Sequence, residues 1–308
     1  MNNLLRRLLS WSWSISLVLM VSPTALAEQA VIGVSLADLG NPFFTQLGNS
    51  LSREASIQTN GEAIVEIQSS AYDLARQQRQ IKKFIQEHVD LIVLSAANSD
   101  AIFADIALAQ KNGIIVTAVD IDANGADVTV TSDNIQAGEI ACQALVDQLN
   151  ERGKVAIING AKVSSVADRV AGCRSVLNNY PKIELVGDQY NSGGTFEGGL
   201  EAATFLLSRY EDVKGIFAIN DPSALGVLKA LELQGNTEIK IVSVDGSKAF
   251  IDTMNEPGSP LIATAAQQPE SMARLAIQYS LLKLSNSDAA PVVIRIPTTL
   301  VTRSSGHQ

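Results

Sequence analysis

Short apolar runs of buried-strand character recur along this chain, spaced so that one helix fits between each pair, and that alternation restricts the fold more than any other feature. The runs read "VIGVSLAD", "AIVEIQSS", "DLIVLSA", "IIVTAVD", "KVAIING", "IELVGDQY", "GIFAIND" and "IKIVSVDG", each bounded by polar residues or glycine. Their length and β-branched content suit strands covered on both faces, as in a parallel sheet. Between them, helical spacing of apolar residues predicts helices over 72–86, 100–111, 135–150, 166–180, 196–208 and 222–234. The alternation predicts a doubly wound α/β architecture. On this reading the first four strands complete one sheet by Asp120, and "DVTVTSDN" leads into a second series. Two Rossmann-like lobes of about five or six strands each follow, with a crossover near 131–133. "ATAAQQPES" and "IRIPTTLV" read as later crossings, with one more helix and a final strand after the strand over 263–267.

Residues 1–27 have the form of a signal peptide: Arg6 and Arg7 are the only charges, 8–21 is mostly apolar, and "ALA" at 25–27 fits a small-x-small cleavage site. The alternative, a single membrane anchor, is disfavoured because Ser10, Ser12 and Ser14 interrupt a stretch already short for a span of about 20 residues. The mature chain is expected to begin at Glu28 and to lie free in a periplasm. The leader holds two of the 23 basic side chains and none of the 32 acidic ones, which leaves 21 against 32, a net charge of −11. That balance argues against nucleic acid or an anionic membrane as partner.

Cys142 and Cys173 are the only cysteines. An oxidising compartment favours a disulfide between them, and the alternative is two buried thiols whose geometry forbids pairing. A bond would be structural, since no histidine lies near either residue in sequence to activate a thiolate.

In open α/β sheets, ligands bind beyond the carboxyl ends of the strands. The distinctive polar and aromatic residues fall there: "NPFF" after the first strand, Asp120 after "IIVTAV", Asn220 and Asp221 after "GIFAI", Asp245 after "IKIVSV" and Gln267 after "IATAA". Each alone has a plain explanation, because Asn and Asp commonly cap helices and Asn41 before Pro42 is a good N-cap and N1 pair. Converging, they suit a polyhydroxylated ligand, whose hydroxyls both donate and accept and need partners once desolvated. The adjacent Phe43 and Phe44 break the period of either helix or strand. They serve either as an aromatic wall over the apolar C–H face of such a ligand or as two core rings under the loop.

Enzyme readings lack parts. His88 and His307 are the only histidines and neither sits at a strand end, so metal clusters and histidine-based triads have no ligands or base. No Walker A pattern or strand-linked G-x-G-x-x-G occurs, and "GGTFEGG" at 193–199 has the spacing of neither. Paired acids could still do general acid and base work, which keeps a secreted carbohydrate-active enzyme as the alternative. No cofactor and no metal are expected.

The series "VIGVSLADLGNPFF", "VDIDANG", "TSDN", "SSVADRVAG", "FAINDPSALG", "VSVDGS" and "ATAAQQP", in this order behind a leader, resembles the periplasmic sugar-binding proteins of ATP-driven importers, in the ribose-binding branch. The resemblance covers the whole mature chain. It implies two lobes, 28–131 plus 268–297 and 132–267 plus 298–308, joined by a three-segment hinge near Asp133, Gln267 and Pro297 and closing over one sugar. It implies ligand contacts from Asn41, Phe43, Phe44, Asp120, Arg169, Asn220, Asp245 and Gln267. Its implied partners are a small-molecule sugar, an ABC permease with its ATPase, and a chemotaxis receptor that reads the closed lobes, the protein itself being monomeric. Two positions depart from the ribose pattern: Ile121 stands where the branch has arginine, and Gly193 aligns with its second-lobe aromatic. A shifted Tyr190 or Phe196 would restore that wall, and a hexose, ketose or polyol fits the departures as well as a pentose. Repressors that share these lobes carry a DNA-binding helix-turn-helix where this chain has its leader.

Overall fold

The computed structural model describes residues 29–236, 238–286 and 290–303. The leader and its cleavage site, and residues 304–308, lie outside the described residues.

The chain forms two six-stranded sheets. The first has strand order β11-β5-β4-β3-β1-β2, built from β1 (Val31–Leu36), β2 (Ile64–Ser69), β3 (Leu91–Leu94), β4 (Ile115–Val119), β5 (Val128–Ser132) and β11 (Val292–Ile296). The second has order β12-β10-β9-β8-β6-β7, built from β6 (Gly153–Asn159), β7 (Ile183–Asn191), β8 (Val213–Ala218), β9 (Lys240–Asp245), β10 (Leu261–Ala266) and β12 (Thr299–Thr302). All pairings are parallel except that of β12 with β10. Central strands such as β3 and β4 are buried at every position, while the edge strand β2 has no fully buried residue. Helices on both faces account for that difference.

Helices α1 (Pro42–Gln58), α2 (Leu74–Gln86), α3 (Phe103–Lys111) and α9 (Pro269–Ser285) belong to the first series. Helices α4 (Asn134–Gln148), α5 (Ser164–Leu177), α6 (Phe196–Arg209), α7 (Asp221–Leu233) and α8 (Lys248–Asn255) belong to the second. Several begin at side-chain caps close to the cleft. Asn41 accepts from the Phe43 amide, Asp73 from Arg76, Asp133 from Gln136, and Asn220 from Ser223. Such caps satisfy amide groups that a helix start leaves open.

The two sheet memberships correct the reading of the first four strands as a complete sheet. β5, from "DVTVTSDN", is the fifth strand of the first sheet, and β11 extends it beyond β5. A second correction concerns the end of the chain: "IRIPTTLV" is two strands, β11 in the first sheet and β12 in the second. The chain thus passes between sheets after β5, after β10 and between β11 and β12. At these passages Asp133 N donates to Ile296 O at 2.8 Å, and Gln268 Nε2 donates to Pro297 O at 2.9 Å.

Cys142 and Cys173 form a disulfide between α4 and α5, with Cα atoms 5.1 Å apart. Glycines bring these helices together. A Cβ on Gly138 would lie 2.0 Å from Arg169 O, and one on Gly172 would lie 2.1 Å from Ile135 O. The contact fixes α5, and with it Arg169, against the start of α4.

Candidate functional site

A closed space between the sheets is lined by Asn41, Phe43, Phe44, Tyr72 and Asp120 from the first lobe and by Ser165, Arg169, Gly193, Gly194, Asn220 and Asp245 from the second, with Gln267 at a crossing. All eight residues expected at a site line it. The space measures about 20 Å³, room for a single water-sized sphere. Buried apolar side chains run without a break from the first lobe through Phe43, Phe44 and Ile121 to Val163, Val166 and Ile219, so the lobes are packed together.

Each polar group has a defined share of its bonding capacity left for the cavity. Arg169, 4 % exposed, donates from Nε to Asn134 Oδ1 at 2.8 Å and from Nη1 to Ile219 O at 2.9 Å, with Asp245 Oδ1 3.4 Å away. Asp245 Oδ1 also accepts from Gln267 Nε2 at 2.8 Å, and Gln267 Oε1 accepts from Ser132 Oγ at 2.8 Å. One line of bonds therefore runs from the end of β5 through Gln267 and Asp245 to Arg169. Asn220 is spent mainly on structure: Oδ1 accepts from Ser223 N and Oγ, and Nδ2 donates to Gly194 O. Asn41 Oδ1 likewise caps α1. Capping and lining the cavity are compatible for these two residues, since a capped side chain still reaches the wall.

Asp120 differs from the rest. It is 4 % exposed, and its Oδ1 is buried without a hydrogen-bond partner. Its backbone is held in the left-handed region, φ 63°, by Asp120 N donating to Val130 O and by Thr131 Oγ1 donating to Asp120 O. Asp245 also has positive φ, 128°. Such conformations cost of order 1 kcal/mol or more and persist where surrounding structure imposes them. Burial pushes the Asp120 carboxyl up to about 7; Arg169 draws it down, while Asp245 and Asp122 add to the rise. Burial raises Asp245 as well, opposed by Arg169 and Gln267. Asp221, behind the site, is raised to about 7 by burial and by Asp245, though Ser247 N and Thr264 Oγ1 both donate to it.

Phe43 and Phe44 meet edge to face, with centroids 5.2 Å apart and an interplanar angle of 77°. At 8 % and 3 % exposure both rings belong to the core, and both line the cavity. The choice between wall and core is thus not exclusive.

Neither departure is repaired as expected. Ile121 is 1 % exposed and does not line the cavity. Gly193 does line it, and a Cβ there would meet nothing within 4 Å. Neither Tyr190 nor Phe196 lines the closed space. The additional aromatic is Tyr72, from the loop after β2, which sequence reasoning missed by placing it as the first residue of a helix. That helix begins at Leu74 behind the Asp73 cap, and Ala71 and Tyr72 both have left-handed φ. Its position beyond a strand end was the available signal. Asn134 and Ser132, which orient Arg169 and Gln267, carried no signal of their own.

Residues 32–287 match the family described as periplasmic binding protein domain. Among curated relatives, the ribose import binding protein of Bacillus subtilis (strain 168) is 30% identical over 254 residues, covering 82% of this chain and 80% of the relative. The D-allose-binding periplasmic protein of Escherichia coli (strain K12) is 28% identical over 307 residues, covering 94% and 96%. Among solved structures, an ABC transporter solute binding protein from Bacillus halodurans C-125 with bound myo-inositol superposes with a TM-score of 0.82 at 22% identity, covering 91% of this chain and 97% of that one. One from Mycobacterium smegmatis with bound glycerol gives 0.81 at 28% identity, covering 89% and 94%.

Proposed function

The chain belongs to the periplasmic binding protein family, and from that premise we propose that it captures a monosaccharide or related polyol between two closing lobes and delivers it to an ABC-type membrane permease. The observation that carries this reading is the convergence of Asp120, at the end of a strand of the first sheet, with Arg169 of α5 and Asp245 at the end of β9 on one closed space, where Asp120 keeps a buried oxygen unpartnered. A buried acceptor without a donor costs about 1 to 3 kcal/mol, and a ligand hydroxyl supplies the donor. Phe43, Phe44 and Tyr72 supply apolar and aromatic cover for the ring or chain of the ligand. Relatives named for ribose and D-allose support the ligand class.

The proposed ligand-binding residues are Asn41, Phe43, Phe44, Asp120, Arg169, Asn220, Asp245 and Gln267, to which Tyr72 is added. The proposed lobes are 28–131 with 268–297 and 132–267 with 298–308, and the sheet memberships support that division. The product acts in the periplasm after loss of residues 1–27, as a monomer, with the permease, its ATPase and a chemotaxis receptor as readers of the closed form.

A thermal-shift screen of pentoses, hexoses, ketoses and polyols tests the reading, because a ligand that binds only the folded state raises the melting temperature by mass action. The expected result is a rise with one or a few related sugars, bound one to one and recovered chemically unchanged. No shift across the whole panel, or turnover of a sugar that is lost in Asp120→Asn, counts against it.

A further inference from the structure

Behind the wall of the closed space, a line of hydrogen bonds joins residues of the two sheets without passing through the cavity. Asn134, the first residue of α4, is 3 % exposed and does not line the space. Its Oδ1 accepts from Arg169 Nε at 2.8 Å, and its Nδ2 donates to Ser132 O at 3.1 Å and to Thr131 Oγ1 at 3.2 Å. Thr131 Oγ1 donates in turn to Asp120 O at 2.7 Å. One amide thus connects Arg169 of α5 to the end of β5 and, through Thr131, to Asp120 just beyond β4. The sense of these bonds is forced. A guanidinium only donates, so the amide oxygen faces Arg169 and the nitrogen faces the carbonyl of Ser132.

The backbone of α5 does not depend on this side chain. Its place against α4 is set by the Gly138 and Gly172 contacts and by the Cys142–Cys173 bond. What Asn134 controls is the direction of the arginine's fork. A planar group is oriented by two points, here Nε on Asn134 and Nη1 on Ile219 O at 2.9 Å, with Asp245 Oδ1 farther from Nη1 at 3.4 Å. Those bonds engage the donors of Nε and Nη1 and leave the pair on Nη2 for the cavity that Arg169 lines. Without the Asn134 oxygen a single close anchor remains, about which the guanidinium can turn, and the buried Nε loses its acceptor.

We propose that Asn134 is a positioning residue for ligand binding: it holds the guanidinium of Arg169 in register with the segment that carries Asp120, so that affinity depends on a side chain the ligand does not touch. The inference rests on the sugar-binding reading above and adds to it the group that sets where the arginine's donors stand. A ligand that bridges Asp120 and Arg169 needs a fixed separation between them. The path through Asn134 and Thr131 fixes it with short bonds at both ends, 2.8 Å at Arg169 and 2.7 Å at Asp120, whereas the path through Ser132, Gln267 and Asp245 reaches Arg169 only at 3.4 Å.

Calorimetric titration of the exported protein with D-ribose, D-allose, D-galactose, D-fructose, D-glucitol and myo-inositol identifies a bound probe, and the same probe is then titrated into Asn134→Ala. Asp133 still caps α4 through Gln136 N in this variant, and Asn134→Leu is a second version that keeps the bulk of the side chain. Nuclear magnetic resonance of isotope-labelled protein follows the Arg169 Nε–H signal, assigned by its absence in Arg169→Lys. Both Asn134 variants are expected to bind the probe about tenfold more weakly or worse, the scale of one lost hydrogen bond to a charged group. Their Arg169 Nε–H is expected to exchange with solvent faster than that of the wild type. Affinity within about twofold of wild type in either folded variant overturns the proposal and leaves the sugar-binding reading standing. A large loss of affinity with an unaltered Arg169 signal also overturns it, because the effect then does not pass through Arg169. Absence of binding by every probe in the wild type removes both.

Discussion

Burial sets the charge state of Asp120: Arg169, itself shared with Asn134, Ile219 and Asp245, draws the carboxyl down only in part, and Ile121 beside it lies in the core. Its folded carboxyl titrates at about 7 against an ordinary 3.8. Between those values the folded protein holds a proton that the unfolded chain has released, so this group lowers stability as pH rises through that window, and the loss is complete above about 7. A ligand hydroxyl donating to the carboxylate favours the charged form. Binding at pH 6 is therefore expected to release a proton. Titration calorimetry in two buffers of different ionisation enthalpy should give different apparent heats at pH 6 and matching heats near pH 8.5, and equal heats at pH 6 would sink the assignment. Arg169→Lys is expected to cost roughly 2 kcal/mol or more of the proposed binding, because a lysine cannot supply the fork of donors that now serves Asn134, Ile219 and Asp245. Phe43→Ala and Phe44→Ala are expected to lower both unliganded melting temperature and affinity, the latter by roughly 1 to 3 kcal/mol, since each ring is at once core and wall. Loss of stability with wild-type affinity in both variants would assign the rings to the core alone. At this scale strand-end polarity made most of the wall legible. Tyr72 was hidden because helical spacing continues through it, and only the Asp73 cap with two left-handed residues before it moves the helix start to Leu74.

Helix α5 carries Arg169, Gly172 and Cys173 within five residues, and all three meet α4 between Asn134 and Cys142. The pairing of cysteines was one of two readings that sequence left open, because helix positions do not reveal which faces meet. Contact is decided by Gly138 and Gly172, which admit a backbone oxygen where any Cβ would clash. With a sequence separation of 31 between the cysteines, the chain-entropy view gives the bond a contribution of roughly 3 to 4 kcal/mol. Reduction of the exported protein is expected to lower its melting temperature by several degrees. Sugar affinity should persist, since Arg169 stays tied to Asn134 and to Ile219 O. Two thiols titrating in the native, unreduced protein would contradict the bond, and a large loss of affinity on reduction would show that α5 depends on it for its position. Element type was readable from periodicity for most of the chain, although α8 falls outside the predicted helices and the expected final strand is two. Sheet membership was not, because β11 and β12 are separated by only Pro297 and Thr298 yet join different sheets, a choice made by pairing partners far away in sequence.

The described residues form two sheets joined by three short passages, and the space between them is smaller than the sugar proposed for it. A space of about 20 Å³ accepts one water-sized sphere, whereas even a pentose has roughly ten heavy atoms, so a ligand enters only when the lobes part. The passages are laced to each other: Ser132 Oγ to Gln267 Oε1 at 2.8 Å, Asp133 N to Ile296 O at 2.8 Å, Gln268 Nε2 to Pro297 O at 2.9 Å, and Thr298 N to Gln136 Oε1 at 2.8 Å. Such lacing keeps the three passages together, and on the proposed reading bending is expected at a few residues near Asp133, Gln267 and Pro297, the pattern of a hinge rather than a sliding interface. Away from these passages, Asp122 N donates to Ser164 Oγ at 2.9 Å across the cleft. A ligand that bonds, as proposed, to Asp120 on one side and to Arg169 and Asp245 on the other spans the cleft only with the lobes drawn together around it, and differential affinity of this kind shifts a population from open to closed. Solution scattering is therefore expected to show a smaller radius of gyration at saturating ligand than without it. The same radius in both states, with binding verified by calorimetry on the same sample, would mean that the lobes do not move as rigid bodies about these three passages, and that the ligand reaches Asp120 by a local opening of one wall instead.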